Sequence, residues 1–139
     1  MTVAAFLLDT NVFAELARPR PNRKVLSAFE RHSGHVVTAS VVVHEICFGI
    51  ERLPSSRRRT ELQRFVDEVM ATLRVLPYGD RAARWHATER ARLAAGGRTP
   101  PFADGQIAAI AAINDATLVT ANVDDFAQFD ALRVLSWWA

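Results

Sequence analysis

A chain of 139 residues, half of them hydrophobic, has the length of about one domain and enough apolar content to bury a core, which excludes a disordered polypeptide. No apolar run reaches the roughly 18–20 residues that cross a bilayer, and the start of the chain lacks the pattern of a secretory signal, so a cytoplasmic protein with no membrane partner is expected. The net charge of +2 is unevenly spread: residues 1–103 hold 16 of the 17 basic side chains, nearly all arginine, but only 10 of the 15 acids, a balance compatible with a phosphate-bearing partner.

In chain order, Val3–Leu8 is a short continuous apolar run ending at Asp9, which suits a buried strand. Asn11–Arg18 has helical apolar spacing and is stopped by Pro19 and Pro21. Asn22–His32 predicts a second helix with Val25, Leu26 and Phe29 on one face. Val36–Ala39 is β-branched and predicts the second strand. Ser40 is placed to cap a helix that runs to about Leu53, before Pro54. Cys47, the lone cysteine, cannot form an internal disulfide and reads as a small buried hydrophobe.

Ser56–Leu73 is the clearest amphipathic helix, with Leu62, Phe65, Val66, Val69 and Leu73 at three- and four-residue steps. Arg74–Leu76 predicts a short strand before the Pro77-Tyr78-Gly79 turn, and Asp80–Ala95 a helix ended by Gly96-Gly97. A further helix is expected from about Ala103 to Asp115, then strands at Thr117–Thr120 and Arg133–Leu135. Trp85 reads as core, and Trp137-Trp138 as sealing a sheet edge or an interface between copies. Strands alternating with helices predict an α/β fold with a mostly parallel sheet of about 4–5 strands, flanked by helices on both faces.

Four carboxylates adjoin apolar runs: Asp9, Glu45 within Val41–Phe48, Asp104 before Ile107–Ile113, and Asp125 shortly after Leu118–Thr120. A buried, unpaired carboxylate is costly, so such groups keep a cation or hydrogen-bond donors beside them. If the fold gathers all four, a hard divalent cation is the simplest partner. Each acid also has a plainer reading. Asp9 suits a helix N-cap, Asp104 suits the first turn of a helix, and Asp124 and Asp125 suit a turn. Glu45 stands on a helix apolar nearly all round, which predicts burial, with pairing to an arginine as the plainer alternative.

Taken together, Leu7-Leu8-Asp9-Thr10-Asn11, Ser40-Val41-Val42-Val43-His44-Glu45, Asp104-Gly105-Gln106-Ile107-Ala108-Ala109-Ile110-Ala111 and Leu118-Val119-Thr120-Ala121-Asn122-Val123-Asp124-Asp125-Phe126 resemble, in that order and separation, the PIN domain. More narrowly they are similar to the VapC-type toxins of bacterial toxin–antitoxin pairs, including the FitB-like group. The resemblance covers nearly the whole chain as a single domain over residues 1–139. It implies a Mg²⁺- or Mn²⁺-dependent endoribonuclease that cleaves RNA and arrests growth. It also implies a homodimer and a cognate VapB-like antitoxin, assembled as a heterotetramer or larger. The alternative is a non-catalytic relative that acts with such a partner in DNA-binding repression.

Carried over by motif, Asp9, Glu45, Asp104 and Asp125 are the catalytic and metal-binding acids, with Asp124 the competing choice for the fourth. Asn11, Thr120 and Asn122 are supporting polar groups. Oxygen ligands suit Mg²⁺ or Mn²⁺, which would lower the pKa of a bound water and offset charge on the leaving oxygen. Arg18, Arg20, Arg23 and Lys24, or alternatively Arg52, Arg57, Arg58 and Arg59, are the candidates for holding RNA phosphates.

Overall fold

The computed structural model describes residues 5–139, so Val3 and Ala4 of the expected first strand lie outside the described residues. The strands are β1 (Phe6–Leu8), β2 (Val36–Ala39), β3 (Arg74–Leu76), β4 (Thr117–Val119) and β5 (Val134–Leu135). Between and after them run α1 (Thr10–Leu16), α2 (Arg23–Arg31), α3 (Ser40–Glu51), α4 (Arg57–Met70), α5 (Asp80–Ala95), α6 (Phe102–Ile113) and α7 (Val123–Phe126).

All strand pairings are parallel, in the order β3-β2-β1-β4-β5. The chain therefore builds outward from β1 in one direction and then crosses back to build from β4 in the other. The seam between β1 and β4, with Leu7 opposite Leu118 and Leu8 opposite Val119, is the topological switch point. In open parallel sheets a crevice opens at such a point beyond the carboxyl ends of the strands. The ladder extends past the strand ends, because Asp9 N donates to Val119 O at 3.0 Å and Thr120 N to Leu135 O at 3.0 Å.

Leu7, Leu8, Leu118 and Val119 have no solvent exposure, as expected for a parallel strand pair covered on both faces. α6 contributes Ile107, Ala108, Ala109, Ile110 and Ala111, all fully buried. α5 packs against α6 so closely that Gly105 has no room for a side chain: a Cβ there would sit 2.2 Å from His86 Nε2. α5 stops at Gly96, and Gly97 (φ +77°) takes the left-handed turn that glycine adopts without strain.

The expected elements are present, with five differences. Ser40 does not cap α3; it is the first helical residue, after Ala39, and makes no capping bond. α3 is also not buried all round. Val42 and Ile50 face the core, while His44 and Phe48 are exposed and Cys47 is half-buried, so neither the helix nor the cysteine is enclosed as its composition suggested. The Asn122–Asp125 stretch, read as a turn, forms the short helix α7, because Phe126 is drawn into the core beside Phe129. Trp85 is half-buried against Phe129. Trp137 is 5% exposed and stacks with His32, which places it inside this chain's own core.

Candidate active site

Asp9 leaves β1 with an extended backbone and is fixed before α1 begins. Its Oδ1 accepts from Thr10 N at 2.8 Å, and its Oδ2 accepts from Thr120 Oγ1 at 2.8 Å and Asn11 Nδ2 at 3.3 Å. The N-cap reading and the site reading therefore describe the same residue. The helix start leaves N–H groups without intrahelical partners, and the carboxylate satisfies one of them. Burial holds the Asp9 carboxyl above its ordinary value, against the opposing hydrogen bonds from Thr120, Thr10 and Asn11, and the charge of Glu45 adds a smaller upward push.

Asn11 and Thr120 form the frame. Asn11 Nδ2 also donates to Thr120 Oγ1 at 3.2 Å, and Asn11 Oδ1 accepts from Ala121 N at 3.0 Å, which locks the end of β4 to the start of α1. Asn122 joins through its backbone only, its N–H donating to Thr120 Oγ1 at 3.0 Å. Its exposed side chain makes no capping bond to α7, so the supporting role expected for that amide is carried by the main chain.

Glu45 projects from the second turn of α3 and is half-buried, less enclosed than α3's composition predicted. The Thr10 hydroxyl donates to its Oε2. Thr10 thus touches two acids at once, Asp9 through its backbone and Glu45 through its side chain. Sequence reasoning gave Thr10 no role beyond its place in the first motif. A hydroxyl directly after a strand-end acid was the available signal.

Asp104 lies in the first turn of α6, where the helix dipole favours an anion, but it is not the cap: Pro101 precedes the helix and no side chain caps it. Its carboxyl is raised to about 6, first by desolvation and then by the charges of Asp9, Asp125 and Glu45. Asp9, Asp125 and Glu45 therefore lie within electrostatic reach of Asp104. Asp125 itself is exposed, so the expectation of four buried carboxylates holds for Asp9 alone.

None of the four acids forms an ion pair with an arginine, lysine or histidine among the described residues. No group of three or more His, Cys, Asp or Glu side chains among these residues stands close enough to hold a metal unaided. Coulombic influence reaches further than ligation distance, so the acids repel one another across an open mouth rather than forming a closed cage. The donor set still fits a hard cation. It is all oxygen and lacks a neutralising base, and Mg²⁺ typically takes one or two carboxylates directly and keeps several waters.

Of the expected RNA-contacting bases, Arg20, Arg23 and Lys24 are exposed and form no ion pair among the described residues, whereas Arg18 is held by Glu15 at 3.2 Å. In the alternative cluster, Arg59 is tied to Glu51 at 2.9 Å. An apolar groove of about 230 Å³ opens beside Thr10 and Glu45, between α1, α3 and α4, with Phe13, Ala14, Ile46, Gly49 and Val66 among its walls.

The PIN domain family model matches residues 6–132. The VapC ribonuclease Y4jK of Sinorhizobium fredii is 33% identical over 136 residues, spanning 95% of this chain and 96% of that protein. The toxin FitB of Neisseria gonorrhoeae is 28% identical, spanning 94% of this chain and 97% of that one. The structure of DNA-bound VapBC from Salmonella typhimurium superposes with a TM-score of 0.86 at 25% identity, covering 97% of this chain and 99% of that one.

Proposed function

Because the chain belongs to the PIN domain family, we propose that it is a metal-dependent endoribonuclease, the toxin of a toxin–antitoxin pair, acting as a single domain. Asp9, Glu45, Asp104 and Asp125 are its catalytic acids. The observation that carries this reading is the gathering of four carboxylates from four different elements near the switch point of a parallel sheet, with no basic side chain among the described residues paired to any of them. A protein that needed these acids only for stability would have neutralised them, because uncompensated like charges destabilise the fold.

Bound Mg²⁺ or Mn²⁺ would supply a deprotonated water at neutral pH and neutralise charge building on the leaving oxygen. Asp9 and Asp104 would hold the ion directly, and Glu45 and Asp125 directly or through water. Asp9 arrives pre-oriented by Thr10, Asn11 and Thr120, which lowers the ordering cost of ligation. Thr10 orients Glu45 through its hydroxyl hydrogen bond. Exposed Asp125 and half-buried Asp104 leave the mouth open to a phosphodiester.

A VapB-like antitoxin would lay a helix into the apolar groove between α1, α3 and α4, ending beside Glu45, where a basic residue could occupy the acid centre. The active species would be a cytoplasmic homodimer, becoming a heterotetramer or larger with the antitoxin. No helix among the described residues is long and apolar enough to cross a membrane. A second reading, a non-catalytic protein working within a DNA-bound repressor complex, is favoured by the DNA in the Salmonella VapBC structure. It predicts tight partner binding and no cleavage of any RNA.

The deciding experiment incubates the purified chain with cellular RNA in Mg²⁺ or Mn²⁺ and sequences the new 5′ ends. Cleavage is expected to fall to background in EDTA and in folded Asp9→Asn and Asp104→Asn variants. Full activity in EDTA, or in either variant, overturns the proposal.

A further inference from the structure

A second groove, about 490 Å³ in volume, lies between α2 and the segment that follows β5, and is lined by Arg23, Lys24, Ser27, Arg31, Ser136 and Trp137 among others. Arg23, Ser27 and Arg31 recur at four-residue steps, so they stand on one face of α2 along about 12 Å of helix axis. Arg23, Lys24 and Arg31 are exposed, and none forms an ion pair among the described residues. The opposite wall is rigid: Trp137 is 5% exposed and stacks with His32 at 5.9 Å, and His32 in turn meets Phe6 at 4.3 Å.

This groove is linked to the acid centre through the sheet. Leu135, in its wall, accepts a hydrogen bond from Thr120 N at 3.0 Å, and the hydroxyl of the same Thr120 donates to Asp9 at 2.8 Å. Two strand spacings, about 10 Å, separate β5 from β1. We propose that this groove is a second substrate surface, which binds the phosphate backbone of a single-stranded RNA segment flanking the scissile bond through Arg23, Lys24 and Arg31. The proposal rests on the ribonuclease reading for the identity of the polyanion.

The chemistry favours phosphates over bases. The cations extend over a length that meets several phosphates of a strand carrying one every roughly 3.4 Å when stacked. The aromatic floor is turned inward, so Trp137 offers no open face for base stacking. Binding should therefore be sequence-independent and strongly salt-dependent. It would also counter the repulsion between RNA and four acids, which must be offset by positive charge close to the mouth.

The test is a fluorescence-anisotropy titration of a short single-stranded RNA of mixed sequence with the full chain in EDTA, at about 50 mM and about 200 mM salt. Each lost phosphate contact lowers the slope of log affinity against log salt by about 0.7 for a single strand. Arg23→Ala/Arg31→Ala should thus cut the affinity loss between those two salts by about 7-fold. Arg64→Ala/Arg74→Ala, exposed on α4 and β3, should behave as wild type. With divalent metal, the α2 double variant should raise KM and leave kcat within about twofold.

An unchanged salt slope in the α2 variant overturns the proposal, as does loss of duplex DNA or acidic peptide binding with RNA binding intact. Because the titration is metal-free and reads binding alone, the two proposals fail separately. A slope change in a chain that cleaves nothing counts against the nuclease reading and leaves the groove standing. Cleavage with an unchanged slope removes the groove and leaves the nuclease.

Discussion

Asp104 shows most clearly that the acid centre has an electrostatic cost. Its folded-state pKa of about 6 lies above the ordinary 3.8, so between those values the folded protein holds a proton that the unfolded chain has released. That contribution to stability is fully present below about pH 4 and is lost as pH rises through about 6. Asp104→Asn removes the repulsion. In EDTA at pH 7.5 it should raise thermal stability by about 1 kcal/mol, a figure reduced for solvent screening of this half-buried group. Differential scanning calorimetry checks this, and a destabilised variant would contradict it. If Asp104 holds the ion as proposed, the affinity of the wild-type chain for Mn²⁺, measured by calorimetric titration, should weaken as pH falls below about 6, because a carboxyl must lose its proton before it binds a cation. Thr10 offers a second test. Thr10→Val removes the donor to Glu45 and should lower kcat by roughly 10- to 100-fold, whereas Thr10→Ser, which keeps the hydroxyl, should retain most activity. Burial alone does not mark a functional acid in this protein. Glu15 and Glu89 are as enclosed as Asp9, but Glu15 is held by Asn22 N, Trp138 Nε1 and Arg18, and Glu89 by Arg92 and Asp130 N. Those partners draw both carboxyls below the usual range, opposite to Asp9 and Asp104.

The contact between α5 and α6 ties the acid centre to the rest of the fold. Gly105 follows Asp104 immediately, and its missing side chain is filled by His86, a 4% exposed residue whose Nδ1 shares a 2.8 Å hydrogen bond with the Tyr78 hydroxyl. Gly105→Ala would force the imidazole or the helix to shift, since the added carbon would sit 2.2 Å from His86 Nε2. A loss of roughly 1–3 kcal/mol is expected from overpacking, read by urea denaturation. Adding His86→Ala should recover part of it, and no recovery would show that the clash is not with the imidazole. Burial and the nearby Arg90 push the His86 pKa down, so the ring is neutral at physiological pH and packs without a charge to solvate. α3 shows where sequence patterning misleads. Val41, Val42, Val43, Ile46, Cys47 and Phe48 suggest a helix enclosed on all sides, yet Phe48 is 53% exposed. Apolar periodicity reports how much surface needs covering, and on α3 part of that surface lines the open groove toward α1 and α4.

In the molecule as a whole, that groove and the acid mouth meet at Glu45 and Thr10, so a partner bound in one can block the other. Gly49 lines the groove with nothing within 4 Å of where its Cβ would be. Gly49→Arg should therefore leave folding and RNA cleavage intact while abolishing inhibition by the antitoxin, measured in a cleavage assay with and without the partner. Inhibition at wild-type potency would place the partner elsewhere. Much of this arrangement was legible in the residues themselves. The apolar runs ending at Asp9 and at Thr120, the amphipathic stripe of α4 and the glycines closing α5 set the elements, because chain stiffness, side-chain periodicity and capping act over a few residues. The same locality brought out Asp9, Glu45, Asp104 and Asp125 as acids out of place among apolar neighbours. Only the tertiary structure decided that β1 and β4 lie side by side, that Asp9, Glu45 and Asp125 all bear on Asp104, that Thr10 bridges two acids, and that Arg31 joins Arg23 across from Trp137. Each of those relations joins groups far apart along the chain, where charge and hydrogen bonding depend on distance in space, a quantity that local pattern does not contain.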